Sequence, residues 1–137
     1  MAKLFYQIKK NLFVVVMLLF ALSGKTDDWN TSICKNQNMA NLTIDFQDGF
    51  VNDSIECRLN GKRIYSKNNC NTSRLTGLAE SVSLKVGNCS NKIKVIIINR
   101  DIEKEIRLEV EDDVFIGISI VNDTIEHIVS TKPFGYG

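Results

Sequence analysis

Hydrophobic and polar residues alternate with a period of two along most of this chain, a pattern that predicts β-strands rather than helices. Apolar residues occupy every second position in five segments, which are 42–46, 55–59, 82–86, 106–110 and 114–120. A sixth segment, 92–98, becomes apolar on both faces near its end, as is typical of a central strand. No long stripe with helical spacing interrupts them. The predicted core is therefore built from strands.

Turn-forming dipeptides separate these segments and indicate hairpins. They are Asp48-Gly49, Asn60-Gly61, Gly87-Asn88 and Asn122-Asp123. The single proline, Pro133, follows the last apolar segment, so it interrupts no strand. Together these features predict an all-β fold: an antiparallel β-sandwich of about seven strands, of the immunoglobulin or transthyretin kind.

The N-terminal residues have the layout of a secretory signal peptide. Three lysines among the first ten residues precede the unbroken apolar run 12–22, and the small residues Ser23 and Gly24 follow it. This run is too short to span a bilayer, which takes about 17–25 apolar residues. We therefore expect export with cleavage near Ser23 and Gly24.

Cleavage would divide the chain into a signal peptide (1–23), a flexible lead-in (24–38) and a β-sandwich domain (39–137). The product would be secreted or periplasmic, and only an uncleaved N-terminus would attach it to a membrane. The full chain has 17 basic and 16 acidic residues, a net charge of +1; losing three lysines leaves 14 against 16, or −2. A near-neutral domain has no long-range attraction for nucleic acid, so we predict no nucleic-acid partner.

The four cysteines all lie in the predicted exported part, which favours disulfides. They are Cys34, Cys57, Cys70 and Cys89. Two disulfides are expected, and the sequence leaves all three possible pairings open. A structural zinc site usually has closely spaced cysteine pairs, which this chain lacks.

Six Asn-x-Ser/Thr sequons are candidate glycosylation sites if the protein is eukaryotic. They begin at Asn30, Asn41, Asn52, Asn71, Asn88 and Asn122. The alternative is an asparagine-rich composition of bacterial origin, in which the sequons carry no meaning. We weigh these two interpretations of the sequons, glycosylation and composition, equally.

A small basic patch follows from the turn at Asn60-Gly61. If that turn has two residues, Arg58 lies opposite Arg63, and Cys57 lies opposite Ile64. Together with Lys62, the two arginines are a candidate contact for an anion or an acidic glycan. The alternative is an ordinary solvated face, which is the more common origin of such charge clusters.

Candidate catalytic chemistry is sparse. His127 is the only histidine, and a two-residue turn at Asn122-Asp123 would place it on one strand face with Ile125 and Val129, where a packed core histidine is expected. No Gly-x-Ser-x-Gly elbow and no glycine-rich phosphate loop occur, so neither an enzyme nor a cofactor is predicted. A small hydrolase or thiol enzyme using His127 or a free cysteine remains the alternative.

Acidic side chains near one turn are weak calcium candidates, because hard cations prefer oxygen-rich loops. They are Asp45, Asp48 and Asp53. Aspartates are also ordinary turn formers, and we favour that interpretation over a metal site. At the other terminus, Phe134 and Tyr136 are expected to pack back on the sandwich and hold the chain end in place.

Several turn and strand segments resemble small exported β-sandwich proteins of bacteria that have no assigned function. These segments are 45–50, 59–62, 77–81, 115–120 and 133–136. The resemblance implies a sandwich fold over about residues 40–136 and carries no functional residues with it. From the predicted export, the fold class and the missing catalytic groups, we expect an exported, non-catalytic binding or interaction module for a protein or glycan ligand. A secreted inhibitor or effector that docks on another protein is an alternative.

Overall fold

A computed structural model describes Cys34 and residues 38–136 of the chain. The predicted signal peptide (1–23), nearly all of the lead-in (24–38) and the sequon at Asn30 lie outside the described residues. The structure contains the strands β1 (Met39–Phe46), β2 (Asp53–Leu59), β3 (Lys62–Cys70), β4 (Glu80–Gly87), β5 (Ser90–Ile97), β6 (Ile102–Glu109), β7 (Val114–Val121) and β8 (Thr124–Ser130). A short 3-10 helix, Ile98–Arg100, joins β5 to β6. Among these residues, no helix has the length and apolar character needed to cross a membrane.

The strands form two four-stranded sheets, as predicted for a β-sandwich. Sheet A has the order β4-β1-β7-β8, and sheet B has the order β3-β2-β5-β6. There are eight strands rather than about seven, partly because the edge strand β3 is mostly polar and shows no long apolar stripe. One pair, β1 with β7, is parallel, whereas the sequence predicted only antiparallel pairs.

The core lies between the two sheets and consists of the apolar positions that the period of two predicted. Leu42, Ile44 and Phe46 of β1 are fully buried, as are Ile116 and Ile118 of β7. Each such side chain contributes about 1.5–3 kcal/mol of burial free energy. The inner faces of β2 and β5 supply the facing layer, so the alternation along the chain sets which side of each strand is buried.

The connections divide the sandwich into two ends. The β1–β2, β3–β4, β5–β6 and β7–β8 connections share one end, because each follows a strand that runs in the same direction. We call this end the loop end; it comprises residues 47–52, 71–79, 98–101 and 122–123. The opposite end carries the remaining connections and the disulfide between Cys34 and Cys89, whose Cα atoms are 5.3 Å apart.

Only one of the two expected disulfides forms, because Cys57 and Cys70 are free, buried thiols. They lie on the neighbouring strands β2 and β3, but Cys70 pairs with Asp53, and Cys57 pairs with Tyr65. The four steps along the strand from position 53 to position 57 correspond to about 13 Å. A disulfide requires Cα atoms within about 7 Å, so the register keeps these two thiols apart.

The C-terminal tail after β8 returns across the outer face of sheet A. The Tyr136 hydroxyl donates to Asp45 Oδ2 at 2.7 Å and accepts from Gln47 Nε2 at 2.9 Å. Gly117 leaves room for this arrangement, because a Cβ atom there would lie 2.7 Å from the Gln47 amide. The expectation that the tail packs on the sandwich is therefore confirmed at Tyr136.

Candidate functional site

Exposed apolar side chains concentrate at the loop end. Each of its four connections, or the residue next to it, carries one: Val51 (66% exposed), Leu75 (87%), Ile98 (56%) and Val121 (41%). These are four of the seven large apolar side chains that are exposed among the described residues. Four apolar side chains brought to one end from four separate segments form a candidate interaction surface.

The base of the loop end is an ion pair between the fully buried Asp53 and Arg100, whose side chain is 22% exposed. Arg100 Nε donates to Asp53 Oδ1 at 2.7 Å, and Nη2 donates to Oδ2 at 2.8 Å. The Asp53 carboxylate is fully buried and also accepts from Asn99 Nδ2 and the Val51 backbone N–H. Burial raises the pKa of Asp53, but these hydrogen bonds outweigh it and hold the pKa below the usual range. The pair is therefore ionised and pre-formed.

Arg100 also connects the other segments of this end. Its Nη2 donates to the Gly49 carbonyl oxygen at 3.0 Å, and its Nη1 donates to Asp123 Oδ1 at 3.1 Å. One guanidinium thus joins the β1–β2, β5–β6 and β7–β8 connections. The planar five-donor fork of arginine suits this role, because it serves several acceptors in fixed directions.

The β3–β4 connection is held to the β1–β2 connection by separate hydrogen bonds. The Phe50 N–H donates to Thr72 Oγ1 at 3.0 Å, and the Thr72 N–H donates to the Phe50 carbonyl at 2.9 Å. Asn52 and Asn71 bond to each other nearby, with the Asn52 N–H 2.9 Å from Asn71 Oδ1. Hydrogen bonds therefore fasten all four connections of the loop end to one another.

Left-handed backbone positions shape the same end. Asn52 (φ 49°), Asp101 (φ 52°), Asn122 (φ 50°) and Asp123 (φ 56°) adopt positive φ, which asparagine and aspartate tolerate better than most residues. Gly49 has φ 91°, and a Cβ atom there would overlap the Ile120 carbonyl. The abundance of Asn and Asp here is thus explained by turn geometry.

The calcium candidates do not come together at one site. The Asp45 carboxylate accepts from Ser81 Oγ at 2.5 Å and from Tyr136 on the outer face of sheet A. Asp53 is occupied by Arg100, and Asp48 is an exposed turn residue. In the part of the chain that the structure describes, no three acidic, histidine or cysteine side chains are grouped to hold a metal ion.

The basic patch forms with one change of register. Arg58 lies opposite Arg63, as predicted, whereas Cys57 lies opposite Tyr65 rather than Ile64 because a bulge intervenes. Glu56 bonds Arg58 at 3.1 Å and approaches Arg63 at 3.7 Å. One carboxylate thus offsets part of the positive charge of this face, to which exposed Lys62 also contributes. An anion contact there stays a prediction.

His127 is exposed rather than packed in the core, so the expectation of a core histidine is wrong. The predicted register is correct, with Ile118 opposite His127 and Ile120 opposite Ile125. The reason is the position of the strand: β8 is an edge of sheet A, so its inward face is only partly covered. Partial desolvation and the neighbouring Lys104 lower the pKa of His127.

The described sequons are unequally placed. Asn41, Asn52, Asn71 and Asn122 are exposed, whereas Asn88 is half-buried. Three of these, Asn52, Asn71 and Asn122, lie at the loop end, where glycans would cover the apolar side chains. Glycosylation stays a prediction, and it competes directly with use of the loop end as a binding surface.

Comparison with known proteins adds no assignment, since no family model and no curated protein matches the chain. Sequence reasoning missed both the loop end and the Asp53–Arg100 pair. A signal for part of the first was present: Val121 adjoins the predicted turn Asn122-Asp123, and Val51 lies two residues after the predicted turn Asp48-Gly49. The pair had no such signal, because its two members are 47 residues apart in sequence.

Proposed function

We propose that this protein is an exported, non-catalytic interaction module that binds a protein partner through the loop end. The observation that carries the proposal is the set of four exposed aliphatic side chains, in or next to the four connections of the loop end, which hydrogen bonds fasten to one another. Apolar side chains held on a rigid support are the usual centre of a protein interface, because little entropy is lost when they bind.

The charges at this end indicate the kind of surface it would bind. Asp48, Asp101 and Asp123 are exposed at the loop end, while Arg74 is its exposed basic residue. Arg100 is already paired with Asp53. A partner with an apolar centre and Lys or Arg at its rim would complement both the aliphatic side chains and these carboxylates. We favour a protein over a glycan because aliphatic side chains offer buried area rather than hydrogen bonds to hydroxyl groups.

The proposal also includes export of the protein and a sandwich fold of the immunoglobulin or transthyretin kind. The Cys34–Cys89 disulfide favours a non-reducing compartment, secreted or periplasmic, and agrees with the proposed signal peptide. The two packed four-stranded sheets with short connections support a fold of the immunoglobulin or transthyretin kind. A secreted inhibitor or effector would use the same surface, so it differs only in the identity of its partner.

Site-specific crosslinking in the source organism tests the proposal. A photoreactive residue replaces Leu75 at the loop end, and a matched one replaces Met39, which is 56% exposed at the start of β1 near the opposite end. We expect a discrete protein adduct from position 75 that disappears in the Val51→Asp/Ile98→Asp background and is missing from position 39. Equal adducts from both positions would overturn the proposal. Glycan-array binding lost in the same double variant would transfer the function to sugar recognition.

A further inference from the structure

The edge strand β8 differs from the other three edges of the sandwich. β3, β4 and β6 all carry lysine or arginine, which discourages strands from pairing edge to edge. β8 has the sequence Thr-Ile-Glu-His-Ile-Val-Ser, with no lysine or arginine. Two of its adjacent apolar side chains, Ile128 and Val129, are 61% and 47% exposed. It is therefore the edge with the weakest protection against strand addition.

The hairpin geometry shows which backbone groups of β8 face outward. A two-residue turn makes Val121 and Thr124 a hydrogen-bonded pair, so alternate residues of β8 bond to β7. The backbone groups of Ile125, His127 and Val129 consequently point away from β7. Lys104 Nζ donates to the Ile125 carbonyl at 3.1 Å, which leaves the edge open at His127 and Val129. Within the described residues, nothing else bonds to those edge groups.

We propose that β8 is a self-association site, at which two copies of this chain pair their β8 strands antiparallel into one continuous eight-stranded sheet. The register that uses the open edge is centred on Ile128. His127 then pairs with Val129 of the second copy, and Ile128 faces its own counterpart across the two-fold axis. The Ile128 positions form a non-hydrogen-bonded pair, in which facing side chains approach most closely.

Charge favours a second copy as the occupant. In this register Glu126 faces Ser130 of the second copy, so no like charges are opposed along the strand. Centring the pair on Glu126 instead would oppose two glutamates. The charges of β8 therefore allow a second copy to pair in the register centred on Ile128 and disfavour the register centred on Glu126. Because one strand from each copy buries little area, the dimer should be a weak one. This inference concerns a side of sheet A and does not depend on the proposed function of the loop end.

Disulfide trapping of the exported protein tests the register. We expect Ile128→Cys to give an intermolecular disulfide dimer under mild oxidation, since Cα atoms of such a pair lie about 4.5 Å apart, within disulfide range. Thr124→Cys, an exposed position on the same strand, should give at least tenfold less dimer. Equal trapping at both positions, or none at position 128, would overturn the inference.

Sedimentation velocity across a concentration series tests the dimer without a new thiol. Ile128→Lys places two ammonium groups against each other, and we expect at least a tenfold weaker dimer than for the unmodified protein. Ser83→Lys makes the same change on the exposed outer face of edge strand β4 and should leave association unchanged. A monomer at all concentrations would refute the inference. A dimer weakened by Val51→Asp but not by Ile128→Lys would instead assign self-association to the loop end.

Discussion

Replacing Arg100 with methionine tests whether the buried ion pair supports the loop end. The substitution keeps an unbranched apolar stem but removes all four hydrogen bonds of the guanidinium to Asp53, Gly49 and Asp123. The Asp53 carboxylate would remain fully buried without its counter-charge, retaining only the donors from Asn99 and Val51. Removing one partner of a buried pair costs about 3–5 kcal/mol. Since two donors remain, we expect a loss near 3 kcal/mol.

Urea denaturation followed by far-ultraviolet circular dichroism measures this loss. With an m value of about 1–3 kcal/mol/M, the unfolding midpoint should fall by about 1–3 M. Lys92→Met is the matched control, because Lys92 and Glu105 form an exposed pair at 3.8 Å that contributes less than about 0.5 kcal/mol. An Arg100→Met variant within about 0.5 kcal/mol of the unmodified protein would refute the reasoning.

A second substitution separates the effect of charge from the loss of packing. Adding Asp53→Asn to Arg100→Met removes the uncompensated negative charge, so the double variant should regain about 1–2 kcal/mol. Loss of at least as much stability as in the single variant would show that packing, rather than charge, dominates at this site.

The pH dependence gives an independent check. In the unmodified protein, burial opposes ionisation of Asp53, but hydrogen bonds from Arg100, Val51 and Asn99 hold its pKa below the usual range. The stability from this group is therefore present above the unfolded pKa of about 3.9 and is lost as pH falls through the lower folded value. In Arg100→Met, fewer hydrogen bonds counteract the effect of burial, so the pKa of Asp53 rises. The stability difference between the two proteins should thus narrow as pH decreases.

Three further outcomes follow from the cysteines and the C-terminal tail. Reduction of Cys34–Cys89, which are separated by 55 residues, should destabilise the domain by up to about 4 kcal/mol, measured by thermal unfolding with and without reductant. Cys57 and Cys70 are buried, and burial raises the pKa of Cys57 to about 12. A thiol reagent should therefore label neither cysteine in the native protein and both in urea. Labelling of the native protein would contradict their burial. Tyr136→Phe should cost about 1–2 kcal/mol, because the buried Asp45 Oδ2 loses its donor while Oδ1 keeps the hydrogen bond from Ser81. Burial and the hydrogen bond to Asp45 raise the pKa of Tyr136 to about 12. The contribution of this tyrosine to the free energy of unfolding is therefore complete below about pH 10 and is lost as pH rises through about 12. Absorbance titration of the folded protein measures this pKa.

Local features of the sequence determined most of the strands, the polar β3 excepted, and two of the pairings between them. Alternation determines which side chains face the core, because successive residues of a strand point to opposite faces whatever the partner. The turns at Asn60-Gly61 and Asn122-Asp123 then align the strands they join, which is why two predicted pairings are correct: Arg58 with Arg63, and Ile118 with His127. These relations depend only on residues close together in the chain.

Contacts between remote segments were decided by the tertiary structure alone. The parallel pairing of β1 with β7, the choice of Cys89 as the partner of Cys34, and the meeting of Asp53 with Arg100 all join segments far apart in sequence. The entropy cost of closing a loop changes only slowly with loop length, so the sequence around a segment does not indicate which distant segment it will contact. The partner is selected by the packing of the core that the segments share. The exposure of His127 has the same origin. A strand's place at the edge of a sheet is a property of the assembled sheet, and the sequence of β8 alone does not contain it.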